Sequence, residues 1–246
     1  MNVSNARPPR YLFRQYEILK NIQRGNRFLE IGGGRLQLTL ELAKLFNKGD
    51  VVDFSDDIST YYSNLASELS NVEAHVLDFM KEGMGNKYDL IVACEVMEHI
   101  VEDSVFVQRI KQHLNDDGKV VLSVPAKQKF WTIHDELSGH VKRYEKQELY
   151  KLFADFASVR VINYGYPFVN ILRHLRALDA RIRLKKERAE KTIADKTKQS
   201  SSTHLGAVYS VIANEYTFHP LFKIASLFNE YDLSEGYLVF ATNKRV

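Results

Sequence analysis

Short apolar runs alternate with longer amphipathic segments along the first 165 residues, and this alternation constrains the fold more than any other feature. The apolar runs have the length of buried strands, and the segments between them carry apolar residues at helical spacing. The predicted strands are residues 27–31, 50–54, 72–77, 88–94, 119–124, 158–164 and 236–242. The predicted helices are residues 11–23, 36–46, 58–69, 102–114 and 146–156. This alternation predicts an α/β fold with a seven-stranded, mainly parallel sheet and helices on both faces.

Residues 165–235 interrupt the alternation. One apolar helical run covers residues 168–178, a second covers 208–228, and a polar loop lies between them. Residues 173–198 hold ten Lys or Arg against four Asp or Glu. We therefore predict a helical insertion before the last strand. The predicted organisation is a main domain of residues 1–164 and 236–246, with residues 165–235 as a substrate-binding cap.

Composition and charge exclude several classes of protein. The net charge of +3 is too small to favour a polyanionic partner by itself, so nucleic acid is not an expected partner. The single cysteine, Cys94, forms no internal disulfide, which fits a reducing cytoplasm. No signal-peptide core is present, and no run approaches the roughly 18 apolar residues of a spanning helix. We expect a cytoplasmic protein, with residues 165–200 available for peripheral membrane contact.

The first predicted strand ends in a glycine turn before a helix. Residues 28–34 read FLEIGGG, and glycines let a backbone approach a ligand closely. A dinucleotide-binding fingerprint requires a third glycine where this chain has Gln37. Glu30 would repel a pyrophosphate but would suit a cation, such as the amino group and sulfonium of S-adenosylmethionine (SAM). We interpret the turn as a cofactor site rather than as a turn that only packs. The candidate residues are Glu30, Gly32, Gly33 and Gly34.

Acidic residues also end the second and third predicted strands. Asp53, followed by Phe54, lies about 20 residues after the glycines, where a carboxylate can accept from both hydroxyls of a ribose. Asp78 can accept from an adenine amino group, and Phe79 can lie against the ring. The alternatives are a carboxylate next to a helix N-cap for Asp53, and a loop aspartate followed by a core phenylalanine for the second pair.

Residues 94–99, CEVMEH, follow the fourth predicted strand. Their spacing places Glu95, Glu98 and His99 within one helical turn, so the three side chains can converge. Two carboxylates and an imidazole suit a divalent cation such as Mg²⁺, with His as the softer ligand. They also suit a capping and salt-bridge network, and both alternatives stay open.

A polar loop, residues 134–144, follows the fifth predicted strand and is dense in titratable groups. It lies at the end of the sheet where α/β proteins bind their ligands. His140 and His134 are candidate general bases, because an unperturbed imidazole titrates near neutrality. The alternative is a hydrogen-bonded lattice of Arg, Asp and His side chains that only orders the loop.

These motifs occur in order, each at a strand end. Together they closely resemble the Rossmann-like (class I) SAM-dependent methyltransferases, in particular the bacterial group that includes the ubiquinone-biosynthesis O-methyltransferases. The loop at residues 134–144 also looks like that group's motif after the fifth strand. The resemblance implies that Glu30 and the glycine turn hold the methionine part of SAM, and that Asp53 holds the ribose. The full set of implied cofactor-binding residues is Glu30, Gly32, Gly33, Gly34, Asp53, Phe54, Asp78, Phe79, Cys94 and Glu95.

The resemblance also implies a metal site. Some relatives, among them ubiquinone-pathway enzymes and the plant small-RNA 2′-O-methyltransferases, bind a divalent cation through Glu-x-x-Glu-His and a distal histidine. Glu95, Glu98 and His99 match that motif, and His140 is the fourth candidate ligand.

The leading hypothesis is a SAM-dependent methyltransferase acting on an oxygen or nitrogen of a small, partly apolar acceptor, of a secondary-metabolite or quinone/polyprenyl type. His140, supported by His134 or His99, would remove the acceptor's proton. The basic insertion favours a second hypothesis, a methyltransferase acting on RNA or a peptide. A third is a non-catalytic SAM-binding protein or a NAD-dependent enzyme. Gln37 argues against NAD, and the titratable loop at residues 134–144 argues against a non-catalytic site.

Overall fold

Seven strands and the helices between them form an α/β structure, which the computed structural model describes over residues 8–65, 68–171 and 215–244. The strands are β1 (Gly25–Ile31), β2 (Phe46–Asp53), β3 (Val72–Val76), β4 (Tyr88–Cys94), β5 (Leu114–Pro125), β6 (Ser158–Asn163) and β7 (Gly236–Thr242). The helices are α1 (Pro9–Asn21), α2 (Gln37–Ala43), α3 (Asp57–Leu65), α4 (Asp103–Gln112), α5 (Ile133–Leu137), α6 (Lys146–Leu152) and α7 (Glu215–Ser226).

The strands form one sheet in the order β3-β2-β1-β4-β5-β7-β6. The first five strands pair in parallel, and β7 runs antiparallel between β5 and β6. The prediction of a seven-stranded, mainly parallel sheet is confirmed. The strand order reverses between β1 and β4, and in such sheets the ligand binds outside the carboxyl ends of the strands at that reversal.

The core follows from the continuous apolar runs of the central strands. Ile91, Val92 and Ala93 in β4 are fully or almost fully buried, as are Val121 and Leu122 in β5. A strand that is buried on both faces reads as an unbroken apolar run, which is why β4 begins and ends where the sequence predicts. The sheet therefore forms a rigid platform for the loops at its carboxyl edge.

Several boundaries differ from the prediction, and two of these differences have a visible cause. The helix predicted over residues 36–46 ends at Ala43, and β2 begins at Phe46, because the Phe46 ring packs 5.5 Å from Phe28 and is buried. β5 begins at Leu114 and not at residue 119, and its residues 115–118 form an irregularity within the strand. Tyr88 pairs with Leu114 and Leu90 pairs with Lys119, so the intervening β5 residues leave the ladder.

The chain divides into two compact units. One consists of Ile18–Asn163 and Glu235–Val246 and contains the sheet; the other consists of Met1–Glu17 and Tyr164–Ser234. The described residues 8–17 therefore group with residues 164–171 and 215–234, and not with the sheet. The basic stretch at residues 173–198 lies outside the described residues, and the role of 165–235 as a cap stays a prediction.

Aromatic packing holds the described part of the second unit together. The Phe13 ring lies 5.0 Å from Phe222 and 5.8 Å from Phe168, and Tyr16 also packs 5.0 Å from Phe222. Arg10 donates to the Tyr164 hydroxyl at 3.0 Å. Within the residues described, no helix combines the length and apolarity that crossing a membrane requires.

Candidate active site

The turn between β1 and α2, residues 32–36, is called the glycine turn. Gly32 and Gly34 adopt left-handed φ values of 74° and 50°, and Leu36 adopts 59°. A Cβ on Gly32 would lie 2.5 Å from Val96 Cγ2, and one on Gly33 would lie 2.3 Å from Val51 Cγ2. The turn thus needs its first two glycines for close packing, and it needs its first and third for their backbone conformation.

Two carboxylates adjoin the glycine turn. Glu30 is buried at the end of β1, where the Thr39 hydroxyl of α2 donates to its Oε2 at 2.5 Å. Asp53, at the end of β2, accepts from the Gly34 amide at 3.2 Å and from the Ser55 amide at 3.0 Å. The structure therefore brings Asp53 to the glycine turn as a ligand site would require. The neighbouring Phe54 side chain is 85% exposed.

Asp78 and Phe79, which follow the third strand, lie in different surroundings. The Asp78 carboxylate accepts from the Met80 amide at 2.9 Å and pairs with Lys81 at 3.0 Å. The hydrogen bond from Lys81 lowers the pKa of Asp78, so this carboxyl is ionised at neutral pH. Phe79, in contrast, is buried and packs against Phe106, with ring centroids 6.1 Å apart. The structure places Phe79 in the core, which is the alternative that the sequence left open.

Residues 95–99, the segment after β4, begin with a strained position. Glu95 has a φ of 57°, and such strain in a non-glycine residue is concentrated at functional sites. Its amide donates to the Ser123 carbonyl at 3.0 Å, and the Ser123 hydroxyl donates to Glu95 Oε1 at 2.9 Å. Glu95 is therefore tied to β5. Cys94, before it, is half-buried.

Glu98, His99 and His140 come together. Each offers one ligand atom, and these atoms lie within 4.8 Å of one another. Glu98 is fully buried, and its Oε1 lies 4.0 Å from His140 Nε2. The rings of His99 and His140 meet edge to face at 4.9 Å, and His99 Nδ1 lies 3.2 Å from the Gly139 carbonyl oxygen. Glu95, the first residue of the predicted Glu-x-x-Glu-His metal motif, is not part of this group.

The loop after β5, residues 126–144, is called the β5 loop, and it is built around a buried carboxylate. Asp135 in α5 accepts from Arg143 Nε at 2.9 Å and from Arg143 Nη2 at 3.0 Å, a bidentate pair. The Thr132 amide and hydroxyl also donate to it, at 2.8 and 2.9 Å. Burial alone would raise the pKa of Asp135, but the donors from Arg143 and Thr132 outweigh it and lower the pKa to about 2.

Asp135 also orients His140. His140 Nδ1 lies 2.9 Å from Asp135 Oδ1, and the His140 amide donates to the Asp135 carbonyl at 2.9 Å. Because Asp135 is ionised, Nδ1 must carry the proton, and the lone pair of the neutral ring is then on Nε2. Burial lowers the pKa of His140, and its hydrogen bond to Asp135 opposes this only in part. His140 is therefore neutral at neutral pH, with Nε2 directed toward Glu98.

His134 occupies a different position. It is exposed, and its Nδ1 lies 3.0 Å from the Ser138 hydroxyl at the end of α5. The structure gives it no contact with His140 or His99 among the described residues. Ile133 and Leu137 also point outward from α5, at 67% and 81% exposure. The helix thus faces the protein with a carboxylate and faces solvent with two apolar side chains.

The sequence gives the lattice in the β5 loop only as an alternative, and it does not indicate which residue forms its centre. Asp135 was one of several polar residues in that loop, and Ser123 carried no motif at all. The spacing of Thr132 and Asp135, three residues apart, is typical of a helix capping box and was the one local signal for a buried, hydrogen-bonded carboxylate at position 135. Arg143 is eight residues further along, beyond any local spacing rule.

Known proteins match this chain in sequence and in structure. (S)-coclaurine N-methyltransferase of Thalictrum flavum subsp. glaucum is 28% identical over 101 residues, which are 39% of this chain and 28% of that enzyme. Malonyl-[acyl-carrier protein] O-methyltransferase of Bacillus cereus is 26% identical over 110 residues, 44% of this chain and 40% of that enzyme. The chain thus spans less than half the length of these two relatives.

The fold has a solved counterpart bound to a SAM product. N-methyltransferase NodS from Bradyrhizobium japonicum WM9, in complex with S-adenosyl-L-homocysteine (SAH), superposes with a TM-score of 0.58 at 14% identity, over 94% of this chain and 86% of that one. Residues 6–156, more than half of the chain, match the family described as "Methyltransferase domain". The chain belongs to this family, the class I SAM-dependent methyltransferases.

Proposed function

We propose that this enzyme transfers the methyl group of SAM to an oxygen or nitrogen of a small, partly apolar acceptor, and that His140 accepts the proton which the acceptor loses. The observation that carries the proposal is the hydrogen bond of 2.9 Å between Asp135 and His140 Nδ1, which leaves the lone pair on Nε2. The names of the two relatives include both an N- and an O-methyltransferase, so the proposal keeps both acceptor atoms.

For the cofactor, we propose that the glycine turn and its two carboxylates hold SAM. Asp53 accepts from ribose hydroxyls while its Oδ2 stays near the Gly34 amide. Glu30 supplies negative charge near the amino group and sulfonium, and Asp78 accepts from the adenine amino group. The exposed Phe54 ring and the backbone of Cys94 and Glu95 complete the site. The core position of Phe79 leaves its ring no role in this proposal.

The chemistry asks little of the protein beyond alignment and proton removal. The nucleophile forms a bond to the methyl carbon as the carbon–sulfur bond breaks, and the sulfonium becomes a neutral thioether. An acceptor hydroxyl or ammonium must also lose a proton, and His140 Nε2 receives it. The resulting imidazolium is stabilised by Asp135, whose charge is maintained at neutral pH by Arg143.

Exposed apolar side chains in the same loop as this base support a partly apolar acceptor. Ile133, Leu137 and Val141 of the β5 loop are 67%, 81% and 46% exposed. Large apolar side chains that cluster on a surface mark binding sites. We propose that the acceptor lies on these side chains.

The first test is calorimetric titration with SAH. We expect binding by the wild-type enzyme and a loss of at least about tenfold in Asp53→Ala, because a carboxylate that accepts hydrogen bonds from a ligand is worth about 1.5–3 kcal/mol. Asp56→Ala is the matched control, since Asp56 is exposed in the same loop. Equal affinity in the two variants would contradict the cofactor site, and no SAH binding by the wild type would contradict the function.

A second candidate role for His140 is to bind a divalent cation. The observation in favour is the convergence of Glu98, His99 and His140 ligand atoms within 4.8 Å. Two imidazoles and one carboxylate suit Mn²⁺ or Zn²⁺ better than Mg²⁺. The two roles exclude each other, because an Nε2 that binds a metal has no lone pair for a proton. Titration with Mn²⁺ and with Mg²⁺ separates them: binding that His99→Ala abolishes would favour the cation, and its absence would favour the base.

A further inference from the structure

A recess lies at the opposite edge of the same sheet from the β5 loop. It has a volume of about 200 Å³, and we call it the amino-edge groove, defined by Asn21, Lys119, Ser158, Arg160, Phe240 and Thr242. Ser158 is the first residue of β6, and Thr242 is the last residue of the antiparallel β7. The groove therefore lies where the parallel strands begin, and the proposed catalytic residues follow the strand ends. All of its residues belong to the unit that contains the sheet.

Strand register gives the groove a rigid floor. Thr242 pairs with both Lys119 and Ser158, and Phe240 pairs with both Val121 and Arg160. Residues that are paired across strands project from the same face, as do residues two apart along a strand. One row thus carries an ammonium and two hydroxyls, and the next carries a guanidinium next to an aromatic ring.

Charge in the groove has one sign. Lys119 and Arg160 are its two charged lining residues, and no acidic side chain is among the lining residues. Arg160 Nη1 lies 3.4 Å from Asn21 Oδ1, which fixes the guanidinium near the end of α1. Lys119 makes no ion pair with any residue in the described part of the chain. Just outside, Lys20, Arg24 and Lys244 adjoin the lining residues in sequence, against Asp116 and Asp117.

We infer that the amino-edge groove binds a small organic anion, a phosphate monoester or a carboxylate carried on a planar apolar body. Lys119, Arg160 and the two hydroxyls bind the anionic group, since hydrogen bonds from charged donors are the strong ones. Phe240 contacts the apolar body. The volume lies below the about 300–1,000 Å³ of pockets for drug-sized ligands, which limits the ligand to a small molecule. This site is independent of the proposed catalytic role of His140.

Ligand-observed NMR on the full-length enzyme tests the inference. The probes are phenyl phosphate and benzoate, with phenol and inorganic phosphate as controls that each lack one half of the ligand. We expect at least one of the two complete anions to bind, and each control to bind about tenfold more weakly or worse. The stronger of phenyl phosphate and benzoate identifies the anionic group. Saturating SAH should leave this binding unchanged.

Variants locate the binding. Lys119→Gln and Arg160→Gln should each weaken binding of the complete anion by about tenfold or more. Lys119→Arg, which keeps the charge, should retain most of the wild-type affinity. Arg24→Ala is the matched control, because Arg24 is an exposed cation near the same edge that does not line the groove. The inference is overturned if no anion binds at millimolar concentration, if phenol binds as well as phenyl phosphate, if Arg24→Ala has the same effect as Lys119→Gln, or if SAH displaces the probe.

Discussion

The glycine turn and the β5 loop lie on either side of the segment after β4, yet they are built in opposite ways. Val96 in that segment contacts Gly32, and the Glu98 carbonyl accepts from the Val141 amide at 2.8 Å. The glycine turn consists of backbone in left-handed conformations, and it leaves space at Gly34, where an added Cβ would meet nothing within 4 Å. The β5 loop is instead a closed set of side-chain hydrogen bonds around Asp135.

In our proposal, this difference separates two tasks of one active site. An open turn with backbone groups suits a ligand that approaches the main chain, as the cofactor does in our proposal. A closed lattice suits the orientation of one nitrogen, because a catalytic group must be held in place before the substrate arrives. We therefore expect variants of the glycine turn to change cofactor affinity, and variants of the β5 loop to change rate and acid stability.

The largest expected effect is that of His140→Ala on kcat/KM. We expect a loss of about 10²–10⁴-fold, the usual contribution of a general base, with SAH affinity nearly unchanged. The measurement is SAH formation with an acceptor selected from a panel of apolar phenols and amines. His134→Ala, which removes an exposed imidazole from the same loop, is the comparison and should lose less than about threefold.

The pH profile sharpens this prediction. Burial lowers the pKa of His140, so the neutral, basic form persists to below pH 6.5. The wild-type rate should fall as the pH drops through that lowered pKa, because protonation removes the lone pair of Nε2. His140→Ala should lack this acidic limb. If the limb survives in His140→Ala, another group is the base.

The next largest expected effect is that of Asp135→Asn on the free energy of unfolding at acid pH. The pKa of Asp135 is lowered to about 2 in the folded protein and is about 3.9 in an unfolded chain, so the unfolded state takes up a proton first as the pH falls. The ionised carboxyl therefore contributes about 2 kcal/mol above pH 5, and this contribution is lost as the pH falls toward 2.

Urea denaturation at pH 7 and pH 3 measures that contribution. The difference in free energy of unfolding between the wild type and Asp135→Asn should shrink by about 1 kcal/mol between the two pH values. Asp56→Asn, at an exposed carboxyl, should show no such change. Parallel pH dependence in the wild type and Asp135→Asn would mean that the lattice does not hold the carboxylate ionised.

The sequence predicted the sheet better than it predicted the lattice. The bounds of β4 and β7 agree with the predicted ranges 88–94 and 236–242, because a buried strand carries an unbroken apolar signal between polar flanks. The same signal has no direction, so it could not indicate that β7 runs antiparallel between β5 and β6. Pairing partners are chosen by the three-dimensional packing of the whole sheet.

The positions of single side chains at strand ends are harder still to predict from the sequence. Asp78 and Phe79 are adjacent, but one faces solvent and the other enters the core against Phe106, and a two-residue motif does not say which side the loop turns to. The pairing of Asp135 with Arg143 depends on a loop that brings residues eight positions apart into bidentate contact. Such contacts follow from loop conformation, which has no periodicity to read.

The smallest expected effect is that of a substitution in the glycine turn, the more open of the two regions compared. Gly34→Ala adds a methyl group where the structure has free space, but at a φ of 50° that disfavours any side chain. We expect a loss of about 1 kcal/mol in the free energy of unfolding, measured by urea denaturation. Gly85→Ala is the matched control, since its Cβ also meets nothing within 4 Å and its φ is not left-handed; it should be neutral or slightly stabilising.

SAH affinity in the same pair of variants gives the decisive measurement. If the free space at Gly34 is where the cofactor approaches the backbone, the added methyl group occupies part of the ligand's volume. Gly34→Ala should then weaken SAH binding by more than the predicted loss in free energy of unfolding explains. Gly85→Ala should leave the affinity for SAH unchanged. If Gly34→Ala binds SAH as the wild type does, the turn is not open for a ligand at that residue. Its glycines would then be needed only for the structure of the turn itself, namely the packing of Gly32 against Val96 and the left-handed backbone. In that respect the turn would resemble the β5 loop, whose hydrogen bonds hold the loop in place.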